Sequence, residues 1–304
     1  MNHYGEYKNL FNKIYKDSQI QLDAKMSENI YFKVGGPVDI LLTPNTVQQL
    51  KDAITICKEN KIPFYVIGNG SNLLVKDGGI RGVVIKLSEL NKIERIDNKI
   101  TAECGALLKD VSTEAVKGAL SGFQFACGIP GSVGGAVFMN AGAYDGEISF
   151  VIESAEVLDD NQEIRVLSKE ELNLGYRQSI VMEKGYVVLS ATFNLIPGDK
   201  EKIQARVDEL TQRREERQPL EYPSAGSTFK RPEGYFAGKL IEDADLKGFT
   251  IGGASVSTKH AGFVVNNGNG TAKDVLDVIY HVKDEVKKQF GVDLYPEVRI
   301  LGED

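Results

Sequence analysis

The sequence predicts an α+β protein made of more than one packed unit. Short apolar runs with strand character alternate irregularly with amphipathic helical patterns, and glycine-rich turns separate them. The 304 residues also exceed the usual size of one hydrophobic core, so about two or three units with a cleft between them are expected.

Taken in order, Tyr4, Tyr7, Phe11, Ile14 and Tyr15 recur at helical spacing and predict an amphipathic N-terminal helix packed on the body. An apolar run at Val38 to Leu42, a helical pattern of Val47, Leu50, Ile54 and Cys57, and a second apolar run at Pro63 to Ile67 read as strand, helix, strand. Short β-prone runs fill Val83 to Glu103, a helix follows from about Leu107 to Ala119, and strands resume at Ser154 to Asp159 and Tyr186 to Leu195. The polar segment Asp199 to Arg217 keeps Ile203, Val207 and Leu210 on one face and is stopped by Pro219, which places a domain boundary near this helix. Beyond it come glycine-punctuated strands around Thr250 to Val265 and a helix from about Ala272 to Gln289. Thr271 is that helix's N-cap, with Asp274 at its third position, and a last strand is expected through Leu294 to Ile300. No internal repeat or low-complexity tract interrupts the chain.

Composition narrows the function classes. A hydrophobic share of 42% and a charged share of 26% belong to a globular chain. The formal net charge of −7 argues against a nucleic-acid partner, which normally leaves a basic footprint. The densest basic run, Arg213, Arg214 and Arg217, is interleaved with Glu215 and Glu216 and suits one small anion at most. Cys57, Cys104 and Cys127 are odd in number and form no C-x-x-C pair, so neither a disulfide framework nor a zinc site is indicated. With three histidines and no clustered thiols, no metal is expected, and His260 reads as a core or surface histidine. The N-terminus lacks the apolar core of a signal peptide and no stretch approaches the ~20 apolar residues of a membrane span, so a cytoplasmic protein is expected.

Two glycine-rich loops stand out. Gly68-Asn69-Gly70-Ser71-Asn72 follows an apolar strand, where bare backbone N–H groups can face a diphosphate, although a tight turn explains the same residues. It is no dinucleotide fingerprint, because Leu73 occupies the third-glycine position of G-x-G-x-x-G and Lys76-Asp77-Gly78-Gly79 arrives before a helix can form. No Gly-Lys-Ser/Thr follows, so it is no P-loop either. The second loop, GIPGSVGGAVFMNAGAYDG, holds Gly128, Gly131, Gly134, Gly135, Gly142 and Gly146 around Ser132 and Asn140. Each glycine in a regular element costs ~0.5–1 kcal/mol relative to alanine, so this density points to close approach by a large flat ligand.

Six segments in order, YFKVGGP, VIGNGSNLLV, GIPGSVGGAVFMNAGAY, LGYRQS, AGSTFKRPEG and YPEVR, resemble the UDP-N-acetylenolpyruvoylglucosamine reductases (the MurB family) over nearly the whole chain. The resemblance implies a two-part FAD-binding region of the PCMH, vanillyl-alcohol-oxidase-like type, plus a C-terminal α+β substrate-binding domain. Residues 1–90 would be FAD-binding subdomain 1, 91–205 subdomain 2, and 206–304 the substrate-binding domain. FAD would bind non-covalently and NADPH would serve as co-substrate. Gly68, Asn69, Gly70, Ser71 and Asn72 would hold the diphosphate. Ile129, Pro130, Gly131, Ser132, Gly134 and Gly135, with Asn140, Gly142 and Ala143, would line the flavin and its ribityl chain, and Arg214 and Arg299 would stand near it. Arg214 as a cation at a helix C-terminus and Arg299 as a surface strand charge are the alternatives.

The implied reaction reduces the enolpyruvyl double bond of UDP-N-acetylglucosamine-enolpyruvate to UDP-N-acetylmuramate, for peptidoglycan precursor synthesis. Arg177 matches the family arginine on the substrate carboxylate, Ser227 the proton donor, and Glu297 the carboxylate that helps polarise the substrate. Arg217 and Lys230 would meet the diphosphate or carboxylate. Taken residue by residue, Arg177 also fits a surface salt bridge, Ser227 a turn cap, and Glu297 an ion pair with Arg299, since alternation along the expected strand puts those two on one face. The chain resembles the family form without the extra tyrosine-bearing segment. A small-molecule nucleotide-sugar is the partner implied, with no nucleic acid, no membrane and no obligate protein partner. Two rivals remain at this point: another FAD-dependent oxidoreductase of the same fold acting on an alcohol or sugar, and a non-catalytic flavin- or nucleotide-sugar-binding module.

Overall fold

The computed structural model describes residues 7–304. Tyr4 of the expected N-terminal helix lies outside them, and within the rest of that pattern only α1 (Lys8–Phe11) is helical. The segment is fastened by burial instead, with Phe11 and Tyr15 in the core and the Tyr15 hydroxyl donating to Gln49 O at 2.8 Å.

The first unit contains β1 (Ile20–Lys25), β2 (Pro37–Leu42), α2 (Val47–Glu59), β3 (Phe64–Ile67), β4 (Leu73–Val75) and β5 (Ile80–Lys86). Thr46 caps α2, its hydroxyl accepting from Gln49 N at 3.1 Å. The sheet runs β1-β2-β5-β3, with β1 antiparallel to β2 and the other pairs parallel. Parallel strands are covered on both faces, which is why Ile40–Leu42 of β2 and Val83–Ile85 of β5 are continuous apolar runs. Ile40, Leu42, Val83 and Ile85 join the core shared with the second unit, whereas Val38, Leu41 and Val84 join the core shared with the C-terminal unit. A register shift between Val38 and Ile40 puts Val38 on the same side as Leu41. Buried Asp39 sits at that shift, accepting from Gly82 N at 2.7 Å and pairing with Arg81 Nη1 at 2.9 Å.

The second unit begins with β6 (Ile93–Ile96), β7 (Lys99–Glu103), α3 (Leu108–Lys117), β8 (Leu120–Ser121) and α4 (Val133–Met139). It continues through β9 (Gly142–Ala143), β10 (Gly146–Glu147), α5 (Ile148–Val151), β11 (Ile152–Leu158), β12 (Ile164–Ser168), α6 (Ile180–Lys184), β13 (Val187–Asn194) and β14 (Ile196–Pro197). Five of these strands form an antiparallel sheet in the order β12-β11-β13-β7-β6, and α4 lies against β13 and β7.

Helix α7 (Lys200–Arg217), capped by Asp199, packs on α3 and on the turn at Gln124–Ala126. Then come α8 (Ala237–Asp243), a small antiparallel sheet of β15 (Thr250–Ile251), β16 (Ala254–Val256) and β17 (Val264–Asn266), and α9 (Ala272–Phe290). Thr271 and Asp274 form a capping box on α9, and Asp77 of the first unit accepts from Ala272 N and Lys273 N, both at 2.9 Å. The last strand departs from expectation. Only β18 (Arg299–Leu301) pairs along a ladder, parallel to β4. Residues 295–297 instead bond to 228–230, through Lys230 N to Tyr295 O and Glu297 N to Thr228 O, both at 2.8 Å, and Pro296 has no N–H to extend a ladder. Among the described residues no helix is long and apolar enough to cross a membrane.

Because one sheet serves two cores, Leu41→Ala and Leu42→Ala should each cost ~2–5 kcal/mol in urea unfolding while the transition stays single. A separate early transition in Leu41→Ala would show that the C-terminal unit unfolds independently of the sheet.

Candidate active site

A cavity of about 420 Å³ opens where the turn after β12 and the C-terminal unit meet, and Arg177, Ser227 and Glu297 all line it. Each is brought there by a different local device. Arg177 occupies a tight turn in which Gly175 N bonds Gln178 O at 3.1 Å and Gln178 N bonds Gly175 O at 3.2 Å. Its φ is +55°, left-handed backbone that costs a non-glycine residue ~1–3 kcal/mol and persists only where the surroundings impose it. Asn140 supplies part of that constraint, its Nδ2 donating to Gly175 O at 3.1 Å. Ser227 precedes Thr228, which is fully buried and pinned on both sides. Thr228 N donates to Gly262 O at 2.8 Å, and its Oγ1 accepts from Val264 N at 2.9 Å. Glu297 stands beside this strand-like segment through its bond to Thr228 O.

Arg177 Nε donates to Glu297 Oε1 at 2.6 Å, with side chains only 19% and 10% exposed. This removes the alternative reading in which Glu297 is merely the ion-pair partner of Arg299. Residues 295–297 are not in the β18 ladder, and the Arg299 guanidinium lies 4.9 Å from the Phe138 ring centroid. Burial pushes the Glu297 carboxyl above its usual range, against the opposing pull of Arg177 and of Lys230. A charge-assisted bond inside a partly dry cavity therefore holds a carboxyl that takes up a proton more readily than glutamate in water.

The two glycine loops meet side by side. Asn69 Nδ2 donates to Pro130 O at 2.7 Å, and a Cβ on Gly68 would stand 2.2 Å from Ser132 Oγ. Ser132 is 2% exposed, yet among the described residues its Oγ has no hydrogen-bond partner, an omission that costs ~1–3 kcal/mol in a protein interior. An orphaned donor between two backbone-lined loops fits the oxygen-rich diphosphate and ribityl portion of FAD. Gly131 and Gly135 meet nothing closer than 3.6 Å and leave room beside it. The loop's glycine density has another cause as well: a Cβ at Gly128 would strike Arg214, at Gly134 Cys104, at Gly142 the backbone of Gly146, and at Gly146 the ring of Phe125. Much of the density thus serves close packing of the chain on itself rather than ligand approach.

The remaining expected residues divide. Ser71, Asn72 and Ile129 lie in or beside the joined loops, and Asn72 Nδ2 donates to Glu297 O at 3.1 Å, linking the first loop to the cavity. Arg214 passes directly over Gly128, and burial lowers its readiness to hold its proton. Asn140 is wholly buried, its Nδ2 donating to Gly175 O and Glu147 Oε1 and its Oδ1 accepting from Ser149 N, so its side chain braces the Arg177 turn. Gly142 and Ala143 form the short β9 strand next to it. Arg217 and Lys230 are not among the residues lining the cavity. Arg231, Lys239, Lys247, Lys259, Tyr176 and Phe236 are, and no spacing in the sequence singled them out. His260 also lines it, with Nδ1 accepting from Gly262 N at 3.1 Å. The three cysteines are free and buried, and burial pushes the Cys57 and Cys104 thiols up to about 12. Among the described residues no group of His, Cys, Asp and Glu could hold a metal ion.

Comparison with known proteins gives a consistent picture. Residues 218–301 match the model of the UDP-N-acetylenolpyruvoylglucosamine reductase C-terminal domain, and residues 38–168 match an FAD-binding domain. The chain is 86% identical over 304 residues to the UDP-N-acetylenolpyruvoylglucosamine reductase of Clostridium beijerinckii and 69% identical to that of a Clostridium botulinum strain, each alignment covering 100% of both chains. Among solved structures, the crystal structure of the Thermus caldophilus enzyme of that name superposes with a TM-score of 0.79 at 35% identity, covering 92% of this chain and 97% of the other. Phl p 4.0202, a glucose dehydrogenase, shares the fold only, with a TM-score of 0.50 at 13% identity over 64% of this chain and 44% of its own. The FAD-binding region is accordingly of the PCMH type, followed by a C-terminal α+β domain.

A raised carboxyl contributes stability that is fully present below the ordinary glutamate pKa and is lost as pH rises through its raised value. The melting temperature of the wild type relative to Glu297→Gln should therefore fall as pH climbs upward from the ordinary carboxylate range and then level off. Calorimetric melts over that range test this, and a difference that is constant or rises with pH would remove the desolvation argument.

Proposed function

As a member of the UDP-N-acetylenolpyruvoylglucosamine reductase family, the chain is an FAD-dependent oxidoreductase, and we propose that it reduces UDP-N-acetylglucosamine-enolpyruvate to UDP-N-acetylmuramate with NADPH as electron source. The observation that carries this is the meeting of Arg177 and Glu297, 120 residues apart in sequence, at 2.6 Å within the cavity that Ser227 also lines. FAD, when bound, supplies the hydride that enters the enolpyruvyl double bond. The joined loops at Gly68 to Asn72 and Ile129 to Gly135 hold the cofactor, with Gly142 and Ala143 beside them and Arg214 and Arg299 at their flanks.

The protein's own residues then handle charge and one proton. Hydride addition at the terminal carbon of the substrate puts negative charge on the neighbouring carbon and on the carboxylate attached to it. Arg177 binds that carboxylate with planar donors whose direction the left-handed turn sets in advance. Glu297, inclined to protonation by burial, donates to the same carboxylate and shares the developing charge. Ser227 Oγ–H delivers the proton to the neighbouring carbon, and the enolate's strong basicity makes a hydroxyl a sufficient acid there. Arg217 and Lys230 supply background positive charge, Lys230 already acting on Glu297. A cytoplasmic setting, where NADPH is the reductant at hand, belongs to the same reading. An alcohol- or sugar-oxidising enzyme of the same fold is disfavoured by the match of residues 218–301 to the reductase C-terminal domain.

Ser227→Ala tests the assignment. NADPH consumption by the holoenzyme should respond to the enolpyruvyl nucleotide in the wild type, and in the variant the substrate-dependent half-reaction should slow ~10²–10⁴-fold while flavin reduction by NADPH proceeds. Equal turnover in both proteins would take Ser227 out of the mechanism.

A further inference from the structure

Two left-handed residues meet at the end of α4. Asn140 closes that helix with a φ of +45°, and Arg177, with a φ of +55°, sits in the turn that the Asn140 side chain touches. The segment is tied to α4 at both ends. Asn140 Nδ2 donates to Gly175 O at 3.1 Å, while on the far side Ser179 Oγ donates to Phe138 O at 2.6 Å and caps α6 by accepting from Met182 N at 3.0 Å. Gly175 O also takes the bond from Gln178 N that closes the turn, so the Asn140 amide acts on the carbonyl around which the turn is built. Neither Asn140 nor Glu147 is among the residues lining the cavity.

Glu147 fixes the direction of that amide. Asn140 Nδ2 donates to Glu147 Oε1 at 3.0 Å as well as to Gly175 O, Asn140 Oδ1 accepts from Ser149 N at 2.9 Å, and the Ser149 hydroxyl donates to the same Glu147 Oε1. A carboxylate offers acceptors only and a backbone N–H is a donor only, so the amide has a single satisfied orientation, the one that aims Nδ2 at the Arg177 turn. Hydrogen bonds to an ionised acceptor are also about twice as strong as neutral ones. The backbone is shaped to seat this carboxylate. β9 and β10 pair Glu147 with Gly142, where a Cβ would stand 2.9 Å from Glu147 Cβ and 2.8 Å from Gly146 O, so a side chain at position 142 would displace Glu147.

We propose that Glu147 is a positioning residue for Arg177: it locks the Asn140 amide, which holds the Gly175 carbonyl and so keeps the left-handed turn that aims the guanidinium into the cavity. Helix α4 extends the same connection to the cofactor side, since it starts after Ser132 in the second glycine loop and ends at Asn140. What Arg177 does in the cavity, binding the substrate carboxylate, rests on the reductase reading. That Glu147 sets its direction rests on the hydrogen bonds. Charge on the carboxylate grows as hydride arrives, so a misaimed guanidinium is felt in kcat more than in KM.

The test is a mutant cycle on flavin-loaded protein, with rapid-mixing rates for flavin reduction by NADPH and for oxidation of the reduced flavin by the enolpyruvyl nucleotide. Glu147→Ala should slow the substrate-dependent half-reaction ~10–100-fold with flavin reduction changed less than ~3-fold, and Glu147→Gln, which keeps an oxygen acceptor for Asn140, should recover most of the rate. Added to Arg177→Ala, Glu147→Ala should slow the reaction by less than ~2-fold more, because residues that act through one another are not additive. Should Glu147→Ala fail to fold, Glu147→Asp withdraws the acceptor by one methylene and enters the same cycle, with the same direction expected in each background. A full cost in both backgrounds, an equal loss in both half-reactions, or no cost at all would overturn the relay while leaving the role of Arg177 intact. An Arg177→Ala protein whose reduced flavin is oxidised by substrate as fast as in the wild type would overturn the carboxylate role of Arg177, and this inference with it.

Discussion

The whole architecture depends on a mixed sheet whose parallel strands are buried on both faces. Strands β2 and β5 carry Ile40, Leu42, Val83 and Ile85 into one core and Leu41 and Val84 into another, so the units on either side are held to a common middle layer. A charge belongs badly in such a layer, and Asp39 is tolerated because Gly82 N–H and Arg81 reach it. Everything at the cavity is positioned relative to this sheet. The first glycine loop leaves the end of β3, β4 leads out of that loop and receives β18, and β18 follows directly from the segment that carries Glu297.

From that layer the candidate site is assembled by long-range bonds rather than by any single element. The turn holding Arg177 is braced by Asn140, Glu297 is braced by Thr228 and Asn72, and the two side chains then close on one another. The left-handed backbone at Arg177 and the desolvated carboxyl of Glu297 are both locally unfavourable, and each is paid for by packing elsewhere. The strain gives the guanidinium a set direction, and the burial gives the carboxyl its affinity for a proton.

Much of this was legible in the sequence, for identifiable reasons. Strong periodicity revealed α2, α7 and α9, and capping chemistry at Thr271 and Asp274 marked where α9 starts, since both signals lie within a few residues of one another. The N-terminal pattern and the last strand depart from expectation where tertiary contacts override local preference: Tyr15 is fastened by Gln49, and residues 295–297 are claimed by 228–230. The density of the glycine-rich loop reads in the sequence as a ligand signature, but close approach to Arg214, Cys104 and Phe125 accounts for part of it, a cause that no spacing can display.

What the sequence by itself determined was the α+β class, the family, and hence the flavin chemistry and the identity of Arg177, Ser227 and Glu297 as candidates, because short ordered motifs survive as linear text. Only the tertiary structure decided that Glu297 pairs with Arg177 and not Arg299, that Asn140 braces the turn of Arg177, and that lysines from three separate segments line one cavity. The physical reason is distance along the chain. Burial, desolvation and charge convergence arise between residues tens to hundreds of positions apart, and they come into being only when the shared sheet brings those residues together.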